Sequence, residues 1–414
     1  MRIVLGAGLA LAQPVALHAE PLTFDQAIER AASDAPSLRA SEAGVKAARS
    51  EAIAADRLPD PSLELGIRDF PVTGPDAGRI NSDNFTMRTI GVTQEFTNPA
   101  KRRARAVRAG AEIGVAEAGL ALEAQTVRLE TALAWIDLYY AKRRLDQLKL
   151  LDRSLGDLQA TVAARLASGT ARPSQALEPD QLRAAVSDRR SELEAEVAKA
   201  RTRLTRFTGD PGADTAGDPP PVDVDSAGLT AEQGSLPRLR ALDAQTGVAE
   251  AEVGLARAEK RPDWRVSASY GQREPNFGDL VSVGVSIDLP LFGKRRQDPR
   301  IAARTSEAER ARLDREAAER EVAALLATDL ADHVMHHRQL DNARKVLVPL
   351  AKRRGELDQA SYAAGKLDLG SALLSTLALA EAEVDALARE AEVARDAVRI
   401  NFTYGPIADG EERQ

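Results

Sequence analysis

The chain has 414 residues, a formal net charge of −7 and no cysteine, with 4% aromatic and 29% charged residues. The missing cysteine excludes disulfides, thiolate metal sites and cysteine nucleophiles, and the acidic balance argues against a nucleic-acid partner because no broad basic face is present. A composition rich in alanine, leucine, glutamate and arginine is typical of long helices.

The first residues have the pattern of an export signal. Arg2 precedes an apolar run over residues 3–12, and Ala19 offers a small residue for cleavage before Glu20. We therefore predict a signal peptide at residues 1–19, the alternative being a frayed apolar N-terminus. No stretch of the sequence approaches the roughly 20 uninterrupted apolar residues of a membrane-spanning helix.

The next segment, residues 22–56, is predicted to form one helix. Thr23 can cap its first turn, and Gln26, three places further on, can complete a capping box. Pro59 and Pro61 prevent the helix from continuing.

A β-hairpin with a long tip is predicted after this helix. Its first strand, about residues 62–70, alternates the apolar residues Leu63, Leu65 and Ile67 with polar or small ones. Its second strand covers about residues 85–96, and the loop between the two strands is rich in proline, glycine, aspartate and asparagine.

A very long helix is predicted from Lys101, because no proline occurs before Pro173. At about 1.5 Å per residue, such a helix is on the order of 100 Å long. Apolar residues at alternating steps of three and four in its second half indicate a coiled-coil seam. The residues of this seam are Leu148, Leu151, Leu155, Leu158 and Val162. A turn at residues 168–170 and a return helix over about residues 173–207 follow.

The organisation then repeats. The segment IGVTQEFTNPAKRR at residues 90–103 returns as VGVSIDLPLFGKRR at residues 283–296, and each is a strand that leads into the basic start of a long helix. Such a recurrence indicates an internal duplication. We predict a first repeat over residues 20–208, a linker over residues 209–234, a second repeat over residues 235–405 and a C-terminal tail over residues 406–414.

The second repeat contains two further predicted strands, at about residues 264–271 and 280–289. The latter alternates most clearly, because every second residue is a branched aliphatic one. Pro349 is expected to kink or interrupt the second long helix. The last helix carries an apolar seam of small residues that runs from Leu373 to Val398.

These elements predict a mainly α-helical fold with a small β part. Four strands per chain leave two open edges and are too few to close a barrel, which needs about eight or more. We therefore expect several copies to contribute strands to one shared barrel. Aromatic residues in or beside the strands favour an outer-membrane barrel with aromatic girdles; the alternative is a small soluble sandwich. These aromatic residues are Phe70, Phe85, Phe96, Trp264, Tyr270, Phe277 and Phe292.

The duplicated order of elements, the opening LTFDQAIERA and the strand-to-basic-helix junctions resemble the TolC-like outer-membrane efflux family over essentially the whole mature chain. The resemblance implies a homotrimer with a twelve-stranded β-barrel in the outer membrane of a Gram-negative cell. It also implies that long helical hairpins form an α-barrel, or coiled-coil tunnel, across the periplasm. The implied function is a passive channel that meets a periplasmic adaptor (membrane fusion) protein and an inner-membrane pump of the RND type.

The junction LPLFGKRR at residues 289–296 is most similar to the heavy-metal branch of this family, which exports cobalt, zinc and cadmium or copper and silver. Heavy-metal cations are therefore the predicted substrates. Efflux of drugs or other organic compounds, or type I secretion, are alternatives with the same fold. A soluble periplasmic coiled-coil scaffold is the alternative from another class, and it leaves the strand alternation and the export signal without a role.

The resemblance implies that the adaptor docks at the two turns between paired helices. These turns consist of Ser168, Gly169 and Thr170 in the first repeat and of Gly365, Lys366 and Leu367 in the second. We expect bulky residues in place of Gly169 and Gly365 to leave trimers intact and to abolish export.

Acidic residues at the periplasmic entrance are the second implied site. The family often has acids one turn into the last helix, where this chain has Ser371 and Leu374. The nearest acids are Asp368 and, at the equivalent end of the first repeat, Glu178 and Asp180. An acidic ring there would attract cations and repel anions. The alternative is that these acids are solvated residues near helix starts.

A histidine cluster is the remaining candidate for chemistry. His333, His336 and His337 lie at helical spacing, and the first and last are one turn apart, so that they can share a metal ion. The alternative is a solvated helix surface. The sequence has no glycine-rich phosphate loop and no H-E-x-x-H or G-x-S-x-G motif. We therefore predict no enzyme activity and no cofactor.

Overall fold

The computed structural model describes residues 20–80, 83–167 and 177–405. The predicted signal peptide at residues 1–19, the first turn at residues 168–170 and the tail at residues 406–414 lie outside the described residues. The helices are α1 (Phe24–Asp34), α2 (Pro36–Ala54), α3 (Pro99–Ala167), α4 (Glu178–Thr208), α5 (Ser226–Glu232), α6 (Pro237–Ala258), α7 (Gln297–Asn342), α8 (Val348–Ala363) and α9 (Leu369–Tyr404). The strands are β1 (Ser62–Arg68), β2 (Met87–Phe96), β3 (Trp264–Gln272) and β4 (Leu280–Ile287).

The helix predicted over residues 22–56 is two helices, so the prediction of a single helix was wrong. The capping box is confirmed: the Thr23 hydroxyl accepts the Gln26 N–H, and the Gln26 side chain accepts the Thr23 N–H. Ala35 has a non-helical ψ of 121° immediately before Pro36, the first residue of α2. The break has a local cause, because a residue before proline is disfavoured in the helical conformation.

The long helix is confirmed, since α3 runs from Pro99 to Ala167. Leu148 and Leu151, the first two residues of its predicted seam, are buried, at 4% relative exposure each. The other three residues of that seam lie outside the described side chains. The return helix is described from Glu178, and it ends where Gly209 adopts a left-handed φ of 68°, a conformation that glycine adopts without steric cost.

The interruption predicted at Pro349 is also confirmed. After α7, a π-helical segment spans Ala343–Leu347, and α8 then carries Pro349 in its first turn. Proline has no backbone N–H to donate to the preceding turn, and in a regular α-helix its ring clashes with the carbonyl group four residues earlier. The wider turn of a π-helix relieves this conflict without ending the helical run.

The four strands form one antiparallel sheet in the order β1-β2-β3-β4. The two hairpins come from the two predicted repeats, and β2 joins β3 in a register that runs from Arg88 opposite Gln272 to Phe96 opposite Trp264. The strand bounds agree with the predicted ones to within a few residues. Within this sheet β1 and β4 are edge strands, each with a single neighbour.

The chain divides into two compact units, each of which draws on both predicted repeats. The sheet unit comprises Ser37–Ala124 and Thr230–Leu325 and contains all four strands. The helical unit comprises Met1–Pro36, Gln125–Leu229 and Leu326–Gln414, within the described residues. No helix in the described part of the chain has a stretch long and apolar enough to span a membrane.

The core of the helical unit centres on Trp135, which is fully buried. Its indole N–H donates to the carbonyl oxygen of Leu22 at 2.9 Å, and the ring of Phe24 meets it edge-on at 5.6 Å. Leu22 also exchanges backbone hydrogen bonds with Asp214 and Ala216, at 2.8 and 2.9 Å. The predicted linker, residues 209–234, is therefore packed against this core in its first part, and its last part contains α5.

Candidate functional site

One face of the sheet is a continuous apolar surface. Residues that lie opposite each other in a sheet point to the same side, and the observed register puts Leu65, Ile90, Tyr270 and Val281 in one row. The neighbouring rows on this face are also apolar, with Gln94 as the one polar residue among them. The face ends near the loops between the strands, where Arg88 lies opposite Gln272.

Nothing in the described part of the chain covers this apolar face. Its β1 and β4 residues are 42–75% exposed, with Val281 and Val283 at 75% and 72%. All seven aromatic residues predicted to form girdles are exposed as well. A contiguous apolar surface of this extent marks contact with a membrane or another protein.

The opposite face of the sheet is polar and lined by small side chains. Its central rows combine serine, threonine and glycine: Thr93 opposite Ser267, Gly91 opposite Ser269, and Ser267 opposite Gly284. A Cβ at Gly91 would lie 3.1 Å from the Ser269 Cβ, so this face needs small residues where the strands approach closely. The sheet therefore has one apolar and one polar face, an alternation that the strands of outer-membrane barrels also have.

A buried polar cluster joins the end of β2 to the start of β3. Asn98 caps α3 through its side-chain oxygen, which accepts the Ala100 N–H, and Pro99 takes the first helical position. The Asp263 carboxylate accepts the Asn98 N–H at 2.8 Å and the Lys101 ammonium at 2.5 Å. Lys101 and Asp263 side chains are only 13% and 16% exposed.

These contacts shift the acidity of Asp263. Burial raises the pKa of its carboxyl, but the hydrogen bonds from Lys101 and Asn98 and the charge of Lys101 outweigh burial and lower the pKa below its usual value. Sequence reasoning identified the basic start of the helix and missed its partner, which is distant in the sequence.

The second predicted docking turn is a well-formed helix-to-helix connection. Gly365 has a left-handed φ of 71°, and its N–H donates to the Tyr362 carbonyl while the Lys366 N–H donates to the Ser361 carbonyl. This is the Schellman pattern, which ends α8 by satisfying its last carbonyl groups. The first predicted docking turn, Ser168, Gly169 and Thr170, lies outside the described residues.

Asp368 begins the next helix. Its carboxylate accepts the Ser371 N–H at 2.9 Å and the Ser371 hydroxyl at 2.7 Å. The backbone N–H of Ser371 lowers the pKa of the Asp368 carboxyl, and the Ser371 hydroxyl adds to that shift. Ser371 stands where the family often has an acid. Here its N–H and its hydroxyl both donate to Asp368, the acid one turn earlier.

Two of the three predicted entrance acids lie together. A Cβ built at Gly370 would be 3.1 Å from an oxygen of Glu178 and 3.2 Å from an oxygen of Asp368, so both carboxylates face the same small space. The third acid, Asp180, is exposed on the first turn of α4. Leu374, the other residue in an expected acidic position, is 63% exposed.

All three histidines of the predicted cluster lie on α7. His333 is buried rather than solvated, and burial, together with nearby His337, lowers the pKa of its imidazole. His336 lies 2.6 Å from a carboxylate oxygen of Asp396, which is itself buried. Within the described residues, no group of three or more histidine, aspartate or glutamate side chains is arranged to hold a metal ion.

A further charged cluster was missed by sequence reasoning. Glu390 of α9 accepts the Tyr140 hydroxyl of α3 at 3.3 Å and pairs with Arg344 of the π-helical segment at 2.5 Å. Arg143 approaches the same carboxylate to 3.9 Å. Glu390, Arg344 and Arg143 line a groove of about 630 Å³ in the helical unit. The cluster connects the π-helical segment to α3 and α9. No local pattern in the sequence indicates this contact.

The described fold matches solved structures although the sequence has no close match. No protein-family model matches the chain, and no curated protein matches it. A membrane protein from Pseudomonas aeruginosa superimposes with a TM-score of 0.79 and 16% sequence identity, over 92% of this chain and 90% of that chain.

Two further structures are similar. The outer membrane channel CmeC from Campylobacter jejuni has a TM-score of 0.77 and 12% identity, over 92% of this chain and 85% of that one. CusC, whose structures concern transmembrane channel formation, has a TM-score of 0.76 and 14% identity, over 94% of this chain and 93% of that one. At these identities the likeness establishes the fold: long helices and a four-stranded antiparallel sheet arranged as in a TolC-like outer-membrane channel.

Proposed function

We propose that this protein is the outer-membrane channel of a tripartite efflux system and works as a homotrimer. The observation that carries the proposal is the four-stranded sheet, which has an apolar face, a polar face and two unpaired edges. One copy cannot close a pore with it. Three copies supply twelve strands, enough for a closed barrel whose apolar face meets lipid and whose polar face lines the lumen.

The fold supports this proposal. The neighbours CmeC and CusC are described as an outer membrane channel and a transmembrane channel. The alternative of a soluble coiled-coil scaffold would expose the valine and leucine side chains of β1 and β4 to water. It would also leave two long strand edges unpaired, which soluble proteins avoid.

The helical unit then belongs in the periplasm, where the turns between its paired helices meet a periplasmic adaptor protein. The turn at Gly365 supports this role, because its helix caps fix the backbone and present a defined surface. The channel itself is passive, with energy supplied by an inner-membrane RND-type pump that binds the same adaptor.

Heavy-metal cations are the substrates that we propose. Two features support this choice: the similarity of the junction at residues 289–296 to the heavy-metal branch, and the two carboxylates of Glu178 and Asp368 in one small space. Negative charge at a narrow entrance favours cations over anions. The metal ions are cargo in this proposal and are not resident cofactors.

Two experiments test the proposal. The first separates the cell envelope by density and follows the protein; we expect it in the outer-membrane fraction, soluble only in detergent, and able to form conducting pores in planar bilayers. Recovery in the aqueous periplasmic fraction would contradict the channel function. The second deletes the protein and compares sensitivity to zinc, cadmium and copper with sensitivity to antibiotics. Increased sensitivity to antibiotics alone would contradict the metal substrate and leave the channel function intact.

A further inference from the structure

The strands β1 and β4 lie at the two edges of the sheet. Among the residues that the structure describes, β1 pairs only with β2 and β4 only with β3. Both edges are exposed, and both carry their aliphatic side chains on the same face of the sheet. Edges left free in a monomer are normally protected by charges, bulges or proline. β4, Leu280–Ile287, has no charge and no proline and pairs in a continuous register, so its free edge is unprotected. The occupant that fits both edges is a second copy of this chain, as the proposed function requires.

The register between copies can be derived from the register within one chain. In the observed pairing, one row across the sheet consists of Leu65, Ile90, Tyr270 and Val281. If the next copy joined this row without stagger, Val281 would face Leu65 of the neighbouring copy and all strands would run parallel to the barrel axis. Outer-membrane strands instead tilt by about 35–45°, so the row must be displaced at each junction between copies.

The tilt limits that displacement. With a rise of about 3.4 Å per residue, a strand spacing of about 4.8 Å and four strands per copy, a stagger of about four residues gives a tilt of about 35°, and about six residues gives about 47°. An odd stagger is excluded, because side chains alternate between faces and the apolar face would become discontinuous.

The direction of the stagger follows from where the strands lie. A displacement of about four residues in one sense would bring Leu65 opposite Phe277, which belongs to the tip between β3 and β4 and not to a strand. A displacement in the opposite direction keeps the residues of β1 opposite those of β4. Leu65 then lies opposite Val285 for a stagger of four residues, or opposite Ile287 for a stagger of six.

Charge decides between these two partners. With Ile287 opposite Leu65, Glu64 would lie directly opposite Asp288, and like charges in that position are destabilising. With Val285 opposite Leu65, Glu64 faces Ser286 instead. Residues 63–68 then pair with residues 282–287, all of which lie within the described strands.

We infer that β4 of each copy pairs antiparallel with β1 of the next copy, with Val285 directly opposite Leu65. This register, which rests on the proposed trimeric channel, also puts Ile67 opposite Val283 on the lipid face and Arg68 opposite Ser282 on the lumen face. The barrel then has a tilt of about 35°.

Engineered disulfides test the register sharply, because the natural chain has no cysteine. Leu65→Cys with Val285→Cys places two Cα atoms about 4.5–5.5 Å apart, inside the range of about 4.4–6.8 Å that a disulfide needs. Two matched controls keep Leu65→Cys and move the partner by one row, to Val283→Cys or Ile287→Cys, where the diagonal Cα distance is about 7–8 Å.

A second cysteine pair is needed in case the local geometry at the first pair prevents disulfide formation. Successive antiparallel pairs alternate between a wide and a narrow type, so Arg68→Cys with Ser282→Cys tests the same register on the other face with the other type. The variants are purified in detergent, oxidised with copper phenanthroline and separated on non-reducing denaturing gels. Each single-cysteine variant must retain the oligomeric state of the parent.

We expect covalent trimers, reversed by reductant, from at least one of the two pairs in the inferred register, at several times the yield of either shifted pair. A shifted pair that links best would overturn the register while leaving the trimer in place. A detergent-stable trimer in which no pair forms a disulfide would overturn the β1–β4 contact. A parent protein that is monomeric in detergent would overturn the proposed function itself.

Discussion

The ammonium group of Lys101, at the start of α3, lies 2.5 Å from the carboxylate of Asp263, the residue that precedes β3. The two residues come from different repeats, and their side chains are largely buried. We expect Asp263→Ala to lower the free energy of unfolding by about 1–3 kcal/mol, because it leaves the Lys101 charge and the Asn98 N–H without their acceptor. Thermal unfolding in detergent, followed by circular dichroism and by the fluorescence of adjacent Trp264, measures this loss.

The matched control is the pair of Lys260 and Asp298, which has the same 2.5 Å separation but side chains that are 48% and 47% exposed. Asp298→Ala should lower the free energy of unfolding by less than about 1 kcal/mol, because solvent screens an exposed pair. Equal effects of the two substitutions would contradict the importance assigned to the buried contact.

The same contact predicts a pH dependence. The pKa of Asp263 is lowered in the folded protein, so the charged contact contributes stability at pH values above the unfolded pKa of about 3.9. That contribution is lost as the pH falls through the lower folded pKa. The acid side of the stability profile should therefore be less steep for Asp263→Asn than for the parent protein. An identical acid profile for both proteins would contradict this assignment.

The two faces of β4 should respond oppositely to the same charge. Val283 lies on the apolar face and its neighbour Ser282 on the polar face. Val283→Arg should prevent assembly in the outer membrane, because an arginine facing lipid near mid-membrane costs about 2–4 kcal/mol per copy. Ser282→Arg faces the lumen, where the like charge of Arg68 opposite it costs only about 1 kcal/mol or less per copy, so this variant should still assemble and should lower the cation conductance in planar bilayers. Normal assembly of Val283→Arg would show that this face does not meet lipid.

The turn at Gly365 should matter for export and not for assembly. Any side chain at its left-handed φ of 71° is strained, by about 1–2 kcal/mol for ordinary residues and more for a β-branched one. We expect Gly365→Val to leave the detergent-stable trimer intact and to reduce both adaptor cross-linking and export. Gly355→Ala is the control, because a Cβ there would have only the Ser375 carbonyl oxygen near it, at 3.9 Å. Full export by Gly365→Val with unchanged cross-linking would contradict a docking role.

Asp368 allows its cap and its charge to be separated. Asparagine is as good a helix cap as aspartate, so Asp368→Asn should remove the charge and keep the start of α9, whereas Asp368→Ala should remove both. Reversal potentials in a salt gradient should show a weaker cation preference for both variants. Amide exchange at Ser371 should become faster only in Asp368→Ala. An unchanged reversal potential in both would contradict the acidic entrance.

The cation preference of the parent channel should persist in moderately acidic solution. The hydrogen bonds from Ser371 lower the pKa of Asp368, so its charge remains at pH values where an ordinary aspartate is already protonated. The part of the preference that Asp368 carries, measured as the difference between the parent and Asp368→Asn, should decline only as the pH falls below the usual aspartate range. A difference that disappears at a higher pH would contradict the lowered pKa of Asp368.

Local patterns in the sequence were sufficient for most of the elements. The alternation of Val281, Val283 and Val285 predicted β4, the absence of proline after Lys101 predicted α3, and Pro349 predicted the interruption before α8. The break at Ala35 follows from the same kind of local rule, the restriction of a residue before proline, so Pro36 in the sequence is its signal.

Contacts between distant residues were not predictable from these patterns. Periodicity indicates which residues share a face of an element. It does not indicate which strands are neighbours, so the pairing of β2 with β3 is known only from the structure. The Lys101–Asp263 contact depends on that pairing, and the Glu390 cluster depends on the packing of α3, α9 and the π-helical segment. The burial of His333 disagrees with the solvated-surface alternative, and it is a property of packing that helical spacing does not report.

The mass of the detergent-solubilised protein is the measurement that tests the central claim most directly. If one chain cannot complete its own pore, native mass spectrometry of material extracted from the outer membrane should give three times the mass of a single mature chain. A particle with the mass of one chain, stable in water without detergent, would contradict the account.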